Sequence, residues 1–338
     1  MTWLLTGGAG YIGAHVAAEL VRSGRPVVVV DDLSSGLAER VPAGVPLVVC
    51  SVLDTRALAR TMTTYGVSGV VHLAAKKSVA ESVRKPLYYY DQNVRGTASV
   101  LAAMRLTGAH RLVLSSSAAV YGSPPGGPIA EATMTLPINP YGSTKLLAEW
   151  LLDAASARSE FSWIALRYFN VVGAGSAELG DPGVSNLLQS VLQALTAGER
   201  PHVFGAAQPT PDGTCVRDFV HVADLASAHL AAVDRLETDA ASACHYNVGR
   251  GVGASVFDVL SVVREVTGVD PGHVVTAPRL GDPPCVVADP SRIRAALGWS
   301  ATSDLHAMVD SAWDAWRWRW ADRPLIQREI AEVSGDVV

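Results

Sequence analysis

The sequence has few cysteines, no long apolar segment and no excess of basic residues, and each of these absences excludes a class of protein. The four cysteines, Cys50, Cys215, Cys244 and Cys285, are scattered without CxxC spacing, which argues against a zinc site or a disulfide framework and favours free thiols. No apolar run approaches the ~18 residues that span a bilayer, and residues 1–10 are too short and too glycine-rich for a signal peptide. The 27 basic and 32 acidic residues give a net charge of −5 without a basic stripe, which disfavours a nucleic-acid partner. We therefore expect a soluble, cytoplasmic protein that holds no metal and binds neither membrane nor nucleic acid.

The chain does contain ample apolar material for a folded core. It has 338 residues, of which 49 % are hydrophobic and spread along the whole length. This exceeds the usual size of a domain with a single core. The prediction is one large α/β domain with a smaller second one.

The first distinctive motif is glycine-rich. GGAGYIG at residues 7–13 follows a short apolar strand and precedes apolar residues at helical spacing. In a strand–turn–helix unit, the glycines let the backbone approach a pyrophosphate, and the helix N-terminus favours its negative charge. A second apolar strand ends at Asp31, eighteen positions after Gly13 and close to the ~20 expected of a ribose-binding acid. An acid there repels a 2′-phosphate, so we expect NAD and not NADP.

Later segments alternate between strand-like and helix-like patterns. Residues 47–50 and 70–74 are apolar and strand-like, with a helical pattern over residues 55–65 between them. Repeated units of this kind predict a Rossmann-type, doubly wound parallel sheet with helices on both faces. The segment after residue 74 then lies at the carboxyl ends of the strands, where ligands bind. Lys77 in that segment is in reach of a ribose or diphosphate, although an isolated lysine is more often a surface residue. Asn93 fits either an inward hydrogen-bonding residue or a cap.

A strand-like segment at residues 111–117 ends in three serines, and Tyr141 and Lys145 follow at the start of a helical pattern. Their spacing places the phenol and the ammonium on one face of a helix. A phenol titrates near ~10 in water, so it acts as a base at neutral pH only if a neighbouring cation stabilises its phenolate. The pattern alone also fits a buried tyrosine beside a solvated lysine, and Ser117 also fits a polar strand end. The dinucleotide motif upstream favours a catalytic site in which Lys145 assists Tyr141 and Ser117 hydrogen-bonds a substrate hydroxyl.

Seven segments in a fixed order make the pattern specific. They are TGGAGYIG at residues 6–13, LAAKKSVAES at 73–82, SSSAAVYG at 115–122, NPYGSTK at 139–145, RYFNVVGA at 167–174, DGTCVRDFVHVADLA at 212–226 and APRLGDPPCVVAD at 277–289. The glycine motif occurs in many enzymes, but this set does not. With it, the chain resembles the extended short-chain dehydrogenase/reductase family nearly from end to end, and within that family the nucleotide-sugar epimerases.

The resemblance implies an NAD-dependent enzyme with a UDP-sugar substrate and with Ser117, Tyr141 and Lys145 as catalytic residues. It implies that NAD is bound by Gly7, Gly10, Tyr11, Ile12, Gly13, Asp31, Leu73, Ala74, Lys77, Asn93, Tyr141, Lys145 and Tyr168. It implies that the UDP-sugar site is lined by Lys77, Ser117, Tyr168, Phe169, Asn170, Asn186, Leu187, Phe204, Arg217, Arg279, Asp282 and Val286. The arginines are expected to pair with the diphosphate.

Two segments depart from the family pattern or vary within it. Where relatives usually have a Gly-Asp pair that holds adenine, this chain has Ser51 and Val52, with Asp54 two positions late. One adenine contact is therefore expected to be lost, which weakens the retention of NAD. Val286 stands where a bulky aromatic restricts relatives to unsubstituted hexoses, so we expect side activity on UDP-N-acetylhexosamines.

The resemblance also implies a division of the chain and a dimer. The dinucleotide-binding domain is expected to cover residues 1–170 and to be re-entered at about residues 218–249, by a helix over 218–236 and a strand over 246–249. Residues 171–338 otherwise form a smaller, interleaved α/β substrate-binding domain. Helices over residues 86–107 and 141–157 are expected to pair across a twofold axis in a homodimer.

The implied reaction is inversion of C4 in UDP-glucose and UDP-galactose through a transient 4-keto sugar. The alternatives are another nucleotide-sugar epimerase, a dehydratase or a decarboxylase of the same family, and a non-catalytic NAD-sensing protein on the same fold. Dehydratases carry an Asp-Glu pair just after the strand-end hydroxyl, where this chain has Ala118 and Ala119. Intact Ser117, Tyr141 and Lys145 argue against a sensor.

Overall fold

The computed structural model describes residues 1–124, 126–157, 161–184, 186–238, 242–279 and 281–320, except the side chain of Trp320. Residues 321–338, which the sequence analysis assigned to the substrate-binding domain, lie outside this range. In the described part the strands are β1 (Thr2–Thr6), β2 (Val27–Asp31), β3 (Leu47–Val49), β4 (Val67–His72), β5 (Arg111–Ser117), β6 (Ser162–Tyr168), β7 (Asn170–Val172), β8 (His202–Phe204), β9 (Val216–His221), β10 (Ala243–Val248), β11 (Gly253–Ser255), β12 (Val274–Thr276) and β13 (Cys285–Val286).

The helices connect and cover these strands. In the same residues they are α1 (Tyr11–Arg22), α2 (Thr55–Tyr65), α3 (Val79–Arg84), α4 (Pro86–Tyr89), α5 (Gly96–Thr107), α6 (Pro140–Ser156), α7 (Leu187–Thr196), α8 (Val222–Thr238), α9 (Val256–Thr267), α10 (Ser291–Leu297) and α11 (Leu305–Trp320). Short 3₁₀ turns lie at Ala38–Arg40, Ala118–Tyr121 and Ala177–Leu179, and a π-helical segment lies at Tyr90–Arg95.

The large sheet has the strand order β10-β6-β5-β4-β1-β2-β3, and all its pairs are parallel. Strands β1 to β6 have the spatial order of dinucleotide-binding sheets. In such sheets the ligand crevice lies beside β1, at the carboxyl ends of the strands. The predicted Rossmann-type sheet is therefore confirmed. In the register of β5 and β6, Ser117 lies opposite Tyr168, so two predicted site residues meet at that edge.

Both faces of the large sheet are buried, as its central strands predict. Trp3 and Leu5 of β1 join an apolar cluster with α1 and α8, whereas Leu4 joins a second cluster with α2, α5 and α6. Alternate residues of a strand point to opposite faces, so an almost wholly apolar strand packs on helices from both sides. The sheet edge that holds the site is thereby fixed on a rigid, doubly covered layer.

A smaller sheet lies beyond this edge. β9 pairs with β11 and β13 through its first half and with β7 through its second half, and β12 pairs with β8 separately. A third apolar cluster fills the space under α7, α9 and α11. The chain enters this region after β6 and returns through α8, which packs on α1.

The chain changes sheets within one short segment, because it leaves the large sheet after Tyr168 and joins the small sheet at Asn170. Two predicted helix boundaries were wrong. The expected helix over residues 218–236 begins only at Val222, because residues 218–221 are buried strand residues of β9. The expected helix over residues 86–107 is interrupted by the π-helical segment, which turns Asn93 inward.

The part of the chain that the structure describes bears on membrane insertion and on metal binding. No helix there combines the length and the apolar character required to cross a membrane. No group of three or more His, Cys, Asp or Glu side chains in those residues is arranged to hold a metal ion.

Candidate active site

The glycine turn after β1 leaves no room for side chains. Gly7 has a φ of 73°, and a Cβ there would lie 2.7 Å from the backbone nitrogen of Ala74. A Cβ on Gly13 would lie 2.0 Å from the carbonyl oxygen of Gly7. α1 begins directly after Gly10, and no side chain of the described residues caps its first turn. The first N–H groups of α1, including that of Tyr11, are therefore open to a phosphate.

The neighbours of this turn are held by the protein itself. The backbone nitrogens of Leu73 and Ala74 both donate to the Thr6 carbonyl at 3.1 Å. The Tyr11 hydroxyl donates to the carbonyl oxygen of Gly173 at 2.5 Å, and Ile12 packs against the apolar cluster under α1. These residues shape the crevice, while their backbone groups are placed to meet a ligand.

Asp31 lies at the end of β2 beside the turn. Its carboxylate accepts hydrogen bonds from the backbone nitrogens of Ala9 at 3.0 Å and Leu33 at 2.9 Å. Burial raises the pKa of Asp31, and these two hydrogen bonds oppose that rise. An ionised carboxylate has about four acceptor positions, so capacity remains for the two hydroxyls of a ribose. The glycine turn and Asp31 together fit the adenosine diphosphate part of NAD.

The end of this crevice that would meet adenine lacks the usual acid. Asp54 caps α2 by accepting from the backbone nitrogen of Ala57 at 2.9 Å, so its carboxylate serves the helix. Val52 packs against the apolar cluster on that face of the sheet. The expected loss of one adenine contact stays a prediction.

Two adjacent lysines follow β4 and reach different partners. Lys77 Nζ lies 4.0 Å from the Asp181 carboxylate and 5.9 Å from the centroid of the Tyr11 ring. Lys76 Nζ donates to Ser34 Oγ at 2.8 Å, in the loop that follows Asp31. Lys77 was predicted as a site residue from the sequence and Lys76 was not, although the two lysines are adjacent in the chain.

Asn93 has a positioning role. Its side-chain nitrogen donates to the Lys76 carbonyl and to Thr144 Oγ1, both at 3.0 Å, and its oxygen accepts from the Lys76 nitrogen at 2.8 Å. Both amide N–H donors are thus used within the protein. Asn93 fastens the loop after β4 to α6, and the predicted contact with the cofactor is left to one lone pair of its oxygen.

The start of α6 is built to place Tyr141. Asn139 caps the helix by accepting from the Gly142 nitrogen at 2.9 Å, and Pro140 occupies the first helical position. Gly142 is required, because a Cβ there would lie 2.5 Å from the carbonyl oxygen of Ala119. The first turn of α6 is therefore seated directly on the segment that follows Ser117.

The structure brings the three predicted catalytic residues together. The Ser117 hydroxyl lies near the Tyr141 phenol, whose pKa it lowers, and it accepts a hydrogen bond from the Ala119 nitrogen at 3.1 Å. Lys145 Nζ lies 5.9 Å from the centroid of the Tyr141 ring and donates to the Ser115 carbonyl at 2.8 Å. A phenol, a hydroxyl and an ammonium thus converge at the carboxyl end of β5.

Burial has the largest effect on the pKa of Tyr141. It raises this pKa above the ordinary value of a tyrosine, and the Ser117 hydroxyl only partly opposes the rise. Burial also lowers the pKa of Lys145 to about 8, while Glu149 raises it. Desolvation therefore dominates at Tyr141 in the protein chain alone, and the expected lowering of its pKa by Lys145 stays a prediction.

Tyr168 lies close to Tyr141 but is engaged elsewhere. Its hydroxyl hydrogen-bonds Ser115 Oγ. Burial and the neighbouring Tyr141 raise the pKa of Tyr168. Tyr168 is therefore a neutral wall of the site, and Tyr141 is the better candidate for the base.

The predicted diphosphate ligands are paired with other side chains. Arg217 forms an ion pair with Asp282 and donates to the carbonyl of its neighbour Val216 at 2.8 Å. The Arg279 guanidinium stacks on Phe204, 3.8 Å from the ring centroid. Arg217 and Arg279 thus lie in the small-sheet region with their cationic groups held by an acid and an aromatic ring.

Asn186 and Leu187 start α7. The Asn186 oxygen caps this helix by accepting from the Gln189 nitrogen at 2.9 Å, and its nitrogen donates to Asp181 at 3.2 Å. Asp181 is almost completely buried and also neighbours Lys77. Sequence reasoning missed Asp181, although it is the acid in the GDPG segment that precedes Asn186.

The remaining substrate candidates lie where the chain passes from the large sheet to the small one, or pair with the small sheet. Asn170 begins β7, and Phe169 packs in an apolar cluster with Ala118 and Leu146. Val286 of β13 pairs with Arg217 in register and packs against the same cluster. Its role as a pocket wall stays a prediction.

A family model and curated relatives match this chain. The model of the NAD dependent epimerase/dehydratase family matches residues 3–249. A UDP-glucose 4-epimerase of Azospirillum brasilense is 44% identical over 315 residues, covering 91% of this chain and 90% of the relative. A UDP-glucose 4-epimerase of Streptomyces lividans is 43% identical over 317 residues, covering 92% of this chain and 95% of the relative.

Solved structures agree with these relatives. A UDP-glucose 4-epimerase from Stenotrophomonas maltophila with bound NAD and formylated UDP-arabinopyranose superposes with a TM-score of 0.90 at 38% identity, covering 95% of this chain and 98% of that one. A UDP-glucose 4-epimerase from Brucella ovis in complex with NAD superposes with a TM-score of 0.88 at 39% identity, covering 92% and 97%.

Proposed function

This chain belongs to the NAD dependent epimerase/dehydratase family, and we propose that it is an NAD-dependent UDP-sugar 4-epimerase that interconverts UDP-glucose and UDP-galactose. The observation that carries the proposal is the convergence of Ser117, Tyr141 and Lys145 beside a crevice that fits NAD. Relatives named UDP-glucose 4-epimerase at 37–44% identity over most of the chain support the substrate.

Each catalytic residue has a role that its contacts suggest. Tyr141 takes the proton from the O4 hydroxyl of the sugar, and Ser117 hydrogen-bonds that oxygen while the proton moves. Bound NAD supplies a reversible acceptor for the hydrogen at C4 and a positive charge beside the phenol. Lys145 adds a second positive charge, which stabilises the phenolate against the effect of burial.

Inversion requires that the sugar turn over while the nucleotide stays bound. The 4-keto sugar rotates about its bond to the diphosphate and presents its other face. C4 would then regain from the reduced cofactor the hydride that it gave up, while Tyr141 returns the proton to O4. Arg217 and Arg279 are suited to hold the diphosphate during this rotation, since guanidinium groups bind it at two points. Only weak contacts with the hexose are compatible with this step.

A dehydratase is disfavoured by the residues that follow Ser117. Elimination of water needs an acid and a base, and Ala118 and Ala119 offer only methyl groups at the positions where dehydratases carry them. The carbonyl of Ala119 also lies against Gly142 at the first turn of α6. A non-catalytic sensor is disfavoured by the fully assembled catalytic group.

The division of labour and the assembly of the chain are part of the proposal. Residues 1–170 with about 218–249 are assigned to the cofactor, and the rest to the substrate. The helical segment from α3 to α5 and the neighbouring α6 expose apolar side chains, including Leu87, Val83 and Trp150, which supports their pairing across a twofold axis in a homodimer. Cys50, Cys215 and Cys285 are free thiols, which supports a reducing compartment such as the cytoplasm.

An NMR time course of UDP-galactose with the purified protein and NAD tests the function. The expected result is conversion to UDP-glucose until the two sugars reach equilibrium, with no net consumption of NAD. Appearance of a 4-keto-6-deoxy sugar would assign a dehydratase instead. NAD binding without any conversion would assign a sensor.

A further inference from the structure

A buried ion pair lies directly behind Lys145. Glu149 follows Lys145 by four residues on α6, which places the two side chains on the same face of the helix. Arg167 of β6 donates its Nε to Glu149 Oε1 at 2.9 Å and pairs its Nη2 with Oε2. Both side chains are almost inaccessible to water, at 3% and 4% exposure. A buried pair of this kind contributes little to stability in general, so its position calls for another explanation.

Consecutive residues of β5 connect the pair to the catalytic group. Lys145 Nζ donates to the Ser115 carbonyl at 2.8 Å, and the Ser116 hydroxyl donates to Glu149 Oε1 at 2.5 Å. The far side of Arg167 is occupied by Tyr121, whose hydroxyl accepts from Nη1 at 3.0 Å. The carboxylate therefore lies on the Lys145 side of the pair, and the guanidinium continues into the protein toward Tyr121.

Among the residues that the structure describes, the other charged and titratable groups near Lys145 offer it no comparable partner. Around Lys145 and Glu149 these groups are Tyr141 and Asp153 on α6, His72 on β4, Tyr121 after β5, Arg167 and Tyr168 on β6, His245 on β10, and the pairs Glu81–Lys85 and Asp91–Arg95 in the helical segment packed on α6. Burial lowers the pKa of His72 to about 3 and that of His245 below its ordinary value. Burial raises the pKa of each of these three tyrosines.

We propose that Glu149, held in place by Arg167 and Ser116, is a positioning residue that keeps Lys145 protonated during catalysis. This inference rests on the proposed function, since it assigns Glu149 to the support of the same catalytic lysine. Without a nearby negative charge, the buried ammonium would lose its proton within the range in which the enzyme must work. Arg167 then serves to fix the position of the carboxylate on the side of α6 that carries Lys145.

The sign of the effect can be tested with two variants that break the same ion pair. Glu149→Gln keeps the size of the side chain but removes the negative charge, so the pKa of Lys145 should fall. The alkaline limb of kcat/KM should then move down by about one pH unit, the order expected of one charge a helical turn away. Arg167→Gln removes the opposite charge and should leave the limb in place or move it up. Glu149→Asp keeps the negative charge, so the alkaline limb of kcat/KM should return toward its wild-type position.

Titration of Lys145 itself separates this inference from the proposed function. In lysine-labelled protein with NAD bound, the Lys145 ammonium signal, identified by its loss in Lys145→Arg, should titrate at lower pH in Glu149→Gln than in wild type. If neither the wild type nor any variant turns over UDP-galactose, the proposed function fails. The titration of Lys145 still decides the role of Glu149 in that case. A shift in the same direction in Glu149→Gln and Arg167→Gln would show a structural role and overturn the inference, as would an unchanged titration in Glu149→Gln. If Glu149→Gln does not fold, Arg167→Gln decides alone, because a downward shift in that variant contradicts the inference and an unchanged or upward shift supports it.

Discussion

The catalytic group and the predicted diphosphate ligands hold their charges in opposite ways. Lys145 is 5% exposed and is fixed by the Ser115 carbonyl on a rigid sheet. Arg217 and Asp282 are ion-paired side chains with 16% and 33% exposure, on short strands and loops of the small-sheet region. The first arrangement is preorganised and needs no change of partner during the reaction. If Arg217 binds the diphosphate as proposed, the second must exchange its partner for the substrate, and part of the binding free energy is then used to separate the ion pair.

This contrast suits a reaction in which the sugar turns and the nucleotide does not. The chemistry at C4 demands fixed positions for Tyr141 and Ser117, whereas the UDP group needs a strong hold whose strength is the same before and after rotation. Interactions of the second kind lower KM without raising kcat. Variants on the two sides should therefore separate cleanly in their kinetics.

The largest effect is expected for Tyr141→Phe. Loss of the phenol should lower kcat by at least about a thousandfold, within the range of general acid–base catalysis, because Tyr141 is the proposed acceptor of the O4 proton. UDP affinity, measured by calorimetry, should change by less than about twofold. Tyr65→Phe at the end of α2, where the side chain is exposed, is the matched control and should leave both quantities unchanged. A wild-type rate in Tyr141→Phe refutes the assignment of the base.

Arg217→Met should produce the converse result. Removal of a charge-assisted hydrogen bond to the diphosphate should raise KM for UDP-galactose about tenfold to a hundredfold, with kcat changed by less than a few-fold. Arg264→Met is the control, because Arg264 is an exposed arginine of α9 near Asp270. If Arg217→Met lowers kcat and kcat/KM equally, Arg217 acts in the transition state and the contrast between the two regions is wrong.

The smallest effect is expected at the wall between the two regions. Val286 packs beside the catalytic turn and pairs with Arg217, and its small side chain should leave space for an N-acetyl group. Val286→Tyr should lower the ratio of UDP-GalNAc to UDP-galactose turnover about tenfold, in the range of a pocket mismatch. Val286→Leu is the control and should change the ratio much less. An identical ratio in wild type and Val286→Tyr means that Val286 does not limit the pocket.

Local sequence patterns predicted the residues of the catalytic group, but they did not predict the long-range contacts. The glycine turn, Asp31 and the spacing of Tyr141 and Lys145 each lie within one strand–helix unit, so short-range geometry determines them. The change of sheet between Tyr168 and Asn170 could not be predicted in this way, because β7 pairs with β9 some fifty residues later along the chain. Sequence periodicity does not report such pairings.

The ionic contacts and the pKa values were also beyond local reasoning. Arg217 pairs with Asp282 across 65 residues, and Glu149 pairs with Arg167 across 18. The four-residue spacing of Lys145 and Glu149 places them on one helical face, which the sequence shows. The sequence does not show that Glu149 is buried, and its role depends on that burial. The pKa of Tyr141 is a further example, because it depends on the desolvation produced by the whole fold.

The return of the C4 hydrogen to the same carbon tests the central claim most directly. UDP-galactose carrying deuterium at C4 is incubated with the protein and NAD in ordinary water, and the product is analysed by NMR and mass spectrometry. If the catalytic group works as proposed, UDP-glucose forms with the deuterium retained at C4, because the hydrogen never exchanges with solvent while the sugar turns. Formation of UDP-glucose with hydrogen from water at C4 would contradict the account.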